Sequence, residues 1–372
     1  MKYRICVYIG VSTVALICWI KSRRNRKFLP RAPGIWIPFL GNVGQDSAYI
    51  LGDDDLLKEQ RELESDAITI CHYFSNKYHF VITSLDLAKE CFILNGAKSS
   101  GRLPQYVDNP SDHRSQGIAC ANGACWKLHR RTLITTLRNL GMGKSKIESM
   151  IKEEANYLIE QMKETYADST IYPHRLFSNA TLNIICQLTF GKRFDYKTDV
   201  FQQILNSLDV LFSVRPVQFS QLLPKWMLSL PGVNSQMLID FKKATQFLET
   251  FCGDQIEDCK TKMTEDKSSS ENKEEWVLEA LISKQISDPA NFNDLSIKNI
   301  LIEIFAGGTD TSSSPRMCPG DKLAKMEIFF FLVNLILNFN IESFPEDPRE
   351  DDNAFQGLTR MPVEYRVRMT KI

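Results

Sequence analysis

Neither sign of charge is in excess in this sequence: 45 Lys and Arg stand against 45 Asp and Glu. A nucleic-acid partner calls for a basic surplus, so that class is set aside. The ten cysteines form no Cys-x-x-Cys motif and no Cys/His pair at zinc spacing. That excludes a zinc module and argues against a disulfide framework. Cys120 with Cys125, or Cys252 with Cys259, could be read as pairs, but scattered reduced thiols in a cytosol-facing protein are the better reading. No Ala-x-Ala-like cleavage site follows the apolar N-terminus, which speaks against a removed secretory signal. At 372 residues the chain has room for one large domain or two ordinary ones, with a sizeable core.

What is present begins with Ile5 to Ile20, an apolar run of 16 residues without a charge. Five positive charges follow within Lys21 to Lys27, and only Lys2 and Arg4 precede it. Sixteen residues are short for a span, which takes about 20, yet a thin bilayer and Tyr3 help. The charge asymmetry places the body of the protein in the cytosol. Residues 1–27 are therefore expected to be a membrane anchor with its basic stop. Phe28 to Pro38 holds three prolines and cannot be helical, so residues 28–45 are expected to form a stiff, extended hinge.

Ile68 to Ile82 reads as two strands around Ser75-Asn76-Lys77, and most of the remainder is helical. Trp126 to Leu140 is one candidate helix. Lys146 to Lys163 is a second, with Ile147, Met150, Ile151, Leu158, Ile159 and Met162 on one face. Leu176 to Phe190 is apolar enough to be buried, and the sequon Asn179-Ala180-Thr181 within it is discounted on the cytosolic side. Gln221 to Pro231 is a proline-bounded apolar loop that could meet a membrane or be core. Thr261 to Glu275 reads as a solvated polar loop.

Two stretches carry chemistry. Asp294 to Ser312 is a helix that Asp294 can cap, with Ile297, Ile300, Leu301, Ile304 and Phe305 on one stripe. In register with it come Gly307-Gly308-Thr309-Asp310-Thr311. Two helical glycines cost about 1 kcal/mol each relative to Ala, a cost tolerated where another body approaches the backbone. An acid and hydroxyls beside that opening suggest a ligand surface and a proton path; a fraying helix end is the equal alternative. The second stretch is Pro315-Arg316-Met317-Cys318-Pro319-Gly320, directly before an apolar helix over Asp321 to Phe339. Unpaired helix amides and the helix dipole favour a thiolate at such a place, as metal ligand or nucleophile.

Taken together, the anchor, the proline hinge, Gly117 to Met162, Asn183 to Tyr196, the glycine-acid-threonine helix and the PRMCPG stretch resemble the cytochrome P450 family, in its microsomal drug- and steroid-oxidising branch. The resemblance covers almost every residue present. It implies a mainly α fold with a small β component, over residues 46–372. It implies that Cys318 ligates haem iron, that Trp126, Arg130 and Arg316 hold the haem propionates, and that Gly307 and Gly308 leave room for oxygen and substrate. Asp310 and Thr311 match the acid-alcohol pair that passes protons to bound dioxygen. The implied reaction inserts one oxygen atom into a lipophilic small molecule, with electrons from NADPH through a flavoprotein reductase, at the endoplasmic reticulum membrane.

The chain departs from the family at one place. Thr311 and Cys318 are seven residues apart, where the family has a long segment with a Glu-x-x-Arg helix and most of a sheet. Glu346-Asp347-Pro348-Arg349 follows the cysteine and contains proline, so it is not that helix. Seven extended residues reach about 25 Å at most, enough to pass a porphyrin edge only if nothing else lies in the way. Part of the C-terminal helical and sheet region is missing, and exposed apolar surface is expected there. A catalytically silent, membrane-anchored deletion product that binds reductase or a sibling enzyme is the alternative.

Overall fold

The computed structural model describes residues 35–37, 41–43, 67–72, 77–82, 84–102, 116–141, 145–165, 169–212, 236–265, 276–309, 318–344, 354–356, 360–362 and 365–372. The chain divides into two compact units, one of residues 1–100 and 217–234, the other of residues 101–216 and 235–372.

In the first unit, β1 (Ile35–Ile37) pairs antiparallel with β2 (Gly41–Val43), inside the stretch read as a hinge. The strand pair read from Ile68 to Ile82 is β3 (Ala67–His72) and β4 (Lys77–Ile82), antiparallel with Ala67 opposite Ile82. Helix α1 (Leu85–Lys89) starts where the Ser84 hydroxyl accepts the Leu87 amide, then passes through a π-helical turn (Glu90–Leu94) to α2 (Gly96–Ser99). The anchor run Ile5 to Ile20 and the loop Gln221 to Pro231 lie outside the described residues. Among the described residues, no helix is long and apolar enough to cross a membrane.

The second unit is a mainly α body. Its helices are α3 (Gly123–Asn139), α4 (Ser145–Thr165), α5 (Pro173–Phe190), α6 (Asp199–Phe212), α7 (Gln236–Glu265), α8 (Val277–Ser287), α9 (Asp294–Thr309) and α10 (Asp321–Asn338). Helix α5 is the hub, packed against α4, α8 and α9. Pro173 opens it, where a missing amide hydrogen is no loss. Gly191 closes it in the left-handed region at φ +69°, and the Trp276 ring stands where a β-carbon would go. All six apolar positions read from α4 are buried, as are Ile297, Ile300, Leu301 and Phe305 of α9. Phe190, Phe251 and Phe305 join α5, α7 and α9 with ring centroids 5.6–6.3 Å apart. Strands β5 (Ser169–Ile171), β9 (Val367–Lys371) and β6 (Phe339–Ser343) form an antiparallel sheet in that order, and β7 (Ala354–Gln356) pairs with β8 (Arg360–Pro362).

Two readings of the sequence need correction. Residues 261–265, assigned to a solvated loop, are the last turn of α7: the Thr261 hydroxyl donates to the Glu257 carbonyl and Thr264 to that of Thr261. Exposed polar residues fit a helix end as well as a loop, because only the backbone pairing distinguishes them. The cap of α9 is also not Asp294. Asn293 accepts the Ser296 amide at 2.8 Å and donates its own amide to the Ser296 hydroxyl at 2.9 Å. Asp294 is already helical and its carboxylate takes Gln285 at 2.7 Å and Lys260 at 2.5 Å, which lowers its pKa, chiefly through the Lys260 hydrogen bond. Asn179 is buried, consistent with setting its sequon aside, and Cys91, Cys120, Cys125, Cys186, Cys252, Cys259 and Cys318 are free thiols.

Candidate functional site

Helix α10 begins at Asp321 with Gly320 at its cap and the Ala324 amide bonded to the Gly320 carbonyl at 3.0 Å. Cys318 therefore stands just ahead of the first turn, half-buried, as the Cys-Pro-Gly spacing predicts. A β-carbon on Gly320 would lie 3.8 Å from the Cys318 sulfur, an ordinary contact, so the glycine leaves the thiol uncrowded.

Trp126 and Arg130 lie one turn apart on α3 and are both half-buried. Burial draws the Arg130 guanidinium below its ordinary pKa, and the charge of Cys318 pulls it back up. Two residues 188 positions apart in the chain, one from each end of the second unit, are thus brought within electrostatic reach. On α9, Gly307 is exposed and a β-carbon there would meet nothing within 4 Å, so open space faces the helix at this turn. Gly308 is the next residue of the same helix. Asp310, Thr311 and Arg316 lie outside the described residues.

One neighbour of Gly307 escapes sequence reasoning. Glu303 sits one turn before Gly307, and its carboxylate accepts the backbone N–H groups of Ile118 and, at 3.1 Å, Cys120. Burial raises its pKa, while the amides of Ile118, Ala119 and Cys120 and the nearby His129 work in the opposite direction. Gly117 permits this approach: it is buried at φ +148°, and a β-carbon on it would lie 2.6 Å from a Glu303 oxygen. The loop is further held by Asn299, which donates to the Gln116 carbonyl at 2.8 Å, and by a reciprocal pair of 2.8 Å bonds between Asn122 and the Arg102 backbone. The available signal was an acid interrupting the apolar stripe of α9.

A third cluster, farther along, is structural. Glu154 is buried on α4, forms an ion pair with Arg193 at 2.8 Å and accepts from Tyr196, Asn183 and Gln187. Every lone pair has a use, which is how a buried carboxylate is kept in place.

The residues at hand suit a haem. They offer a sulfur at a helix head, an arginine within its electrostatic reach, and a helix with open space at a glycine. Comparison with known proteins points the same way. A family model described as Cytochrome P450 matches residues 30–315 and 314–369, two stretches that meet at Ser314–Pro315. The chain is 30% identical to Cytochrome P450 2J2 of Homo sapiens over 324 residues, 82% of this chain and 59% of the human protein. It is 31% identical to Cytochrome P450 2B4 of Oryctolagus cuniculus over 77% of this chain and 56% of the rabbit protein. With Cytochrome P450 2G1 of Rattus norvegicus, 29% identity extends over 96% of this chain and 70% of the rat protein.

Proposed function

Because the chain belongs to the cytochrome P450 family, we propose that it binds haem through Cys318 and serves oxygen insertion into a lipophilic small molecule, at a level lowered by an internal deletion at Ser314–Pro315. The observation that carries this reading is the family match over residues 30–315 and 314–369, with Cys318 standing at the head of α10. Bound there, haem would supply the oxygen activation, with a thiolate ligand favouring O–O cleavage. Cys318 would hold the iron from the head of α10. Trp126, Arg130 and Arg316 would hold the propionates, charge-assisted contacts that fix the plane of the ring. Gly307 and Gly308 would leave room for oxygen and substrate, and Asp310 and Thr311 would carry protons to the reacting oxygen. Electrons would come from NADPH through a flavoprotein reductase docking on the cysteine side. Residues 1–27 would anchor the chain in the endoplasmic reticulum membrane and residues 28–45 would space it from the catalytic body, 46–372.

A second reading has one specific observation in its favour. Thr311 and Cys318 lie only seven positions apart, and the family match breaks within that interval. On this reading the chain is a silent, membrane-anchored product that binds reductase or a sibling enzyme. Co-expression with reductase in microsomes separates the two. A reduced, carbon-monoxide-bound Soret band at the thiolate position with NADPH-supported turnover supports the first. Co-purification with reductase and no haem spectrum supports the second and overturns the first.

A further inference from the structure

His129 is 1% exposed and lies on α3 between Trp126 and Arg130. Its two ring nitrogens meet carbonyl oxygens from two other parts of the chain. Nε2 is 2.8 Å from the Asn291 carbonyl, in the turn between α8 and α9. Nδ1 is 3.2 Å from the Gly117 carbonyl, in the loop that Glu303 holds by its amides. The Cys125 sulfur lies 3.6 Å from the same Nδ1, and the Phe292 ring packs at 4.9 Å between centroids, tilted by 51°. Both attachment points are themselves fixed. The Asn291 side chain donates to both oxygens of the Asp288 carboxylate at 3.0 Å, and loop 116–122 is tied to α9 by Glu303 and Asn299.

A helix held only by apolar contacts has some freedom to roll about its axis or slide along it. A helix whose inner face carries a ring wedged between two fixed carbonyls, with an N–H donated to one of them, loses much of that freedom, because either motion breaks the directional bond or drives the ring against the other carbonyl. Trp126 and Arg130 are one turn apart on this helix, and His129 lies three residues from one and next to the other. We propose that His129 is a positioning residue: it sets the roll of α3 and so aims Trp126 and Arg130 at the propionate site beside Cys318. This rests on the haem reading above. It adds a residue to which the family resemblance assigns no role.

The test uses the full chain in detergent micelles, with His129→Leu and His129→Gln, and a control variant, Leu248→Ala in α7, of matched urea midpoint. Leucine fills the site without donating to either carbonyl, whereas the glutamine amide keeps one donor. Hemin titration followed at the Soret band is expected to show about a tenfold or larger loss of affinity for His129→Leu, the scale seen when a ligand's supporting partner is removed. His129→Gln should recover part of it, and the control should bind like wild type. Hydrogen exchange on the apoproteins should show faster exchange in residues 116–130 for His129→Leu, with α7 unchanged. Should wild type bind hemin while His129→Leu binds it equally well, the positioning role is overturned. Unchanged exchange in residues 116–130 overturns it independently of hemin. Wild type that takes no hemin overturns the haem reading itself, a distinct outcome.

Discussion

Arg130 on α3 lies within electrostatic reach of Cys318 at the head of α10: burial lowers the guanidinium pKa and Cys318 opposes that fall. A half-buried arginine is favoured by an anionic companion, which offsets part of its lost hydration. A propionate, when haem is bound, would meet that need. Arg130→Ala is therefore expected to weaken hemin binding by about 10–100-fold, the range for loss of a supporting contact. Arg130→Lys should lose less, because it keeps the charge but not the planar fork. Soret titration of the three proteins checks the order; equal affinity for Arg130→Ala and wild type would remove the guanidinium from the site.

Gly117 and Glu303 give a second, purely structural prediction. In Gly117→Ala the new β-carbon would collide with a carboxylate pinned by backbone amides, at a φ that L side chains rarely adopt. A loss of about 1–3 kcal/mol is expected, from backbone strain and from buried amides left without an acceptor. Urea unfolding with an unchanged m-value measures it. A midpoint equal to wild type would mean that the loop swings away at no cost.

The core helices were legible in the sequence because their apolar residues recur at the helical period. Ile147, Met150, Ile151, Leu158, Ile159 and Met162 could be assigned to one face of α4 without knowing what covers it. Cys318 ahead of α10 was legible for the same local reason. The clamp on loop 116–122 was not. Glu303 and the amides that it accepts lie more than 180 residues apart, and nothing within ten residues of Glu303 signals them. The cap of α9 went astray at finer scale. Asn293 and Asp294 are both good capping residues, and only the backbone conformation decides which one takes the role. Placing Trp126 and Arg130 at the site came from the motif resemblance and not from periodicity, which says only that they share a face.

Glu327 sets a pH dependence. It is buried on α10, its Oε1 has no hydrogen-bond partner among the described residues, and burial pushes its pKa up from 4.5 to about 8. A carboxyl whose folded pKa lies above its unfolded value binds a proton on folding. Its neutral form is therefore compatible with the fold below pH 4.5, and stability is lost progressively as pH rises through about 8. Glu327→Gln should be more stable than wild type at pH 8, should converge with it near pH 4.5, and should flatten the slope between. Chemical denaturation at a series of pH values gives that slope directly. Parallel curves for the two proteins would show that Glu327 has a partner or reaches solvent.

Helix α10 is apolar on nearly every side, a pattern expected of a helix covered all round. Among the described residues one side is covered: Leu323, Phe331 and Leu335 are buried, and the helix packs on α4. Ile328, Phe329, Leu332, Ile336 and Leu337 are exposed by 65%, 59%, 53%, 59% and 69%, an apolar stripe of the kind that leads to association. Substitution on the stripe and substitution on the buried face should therefore differ in kind. Leu332→Lys with Ile336→Lys removes little packing, so the urea midpoint should correspond to a change within about 0.5 kcal/mol. Light scattering of the detergent-solubilised chain should show less aggregate. Phe331→Ala, on the covered side, should cost about 3–5 kcal/mol by leaving a cavity. A large stability loss in the double-lysine variant would show instead that the stripe is packed against something in solution.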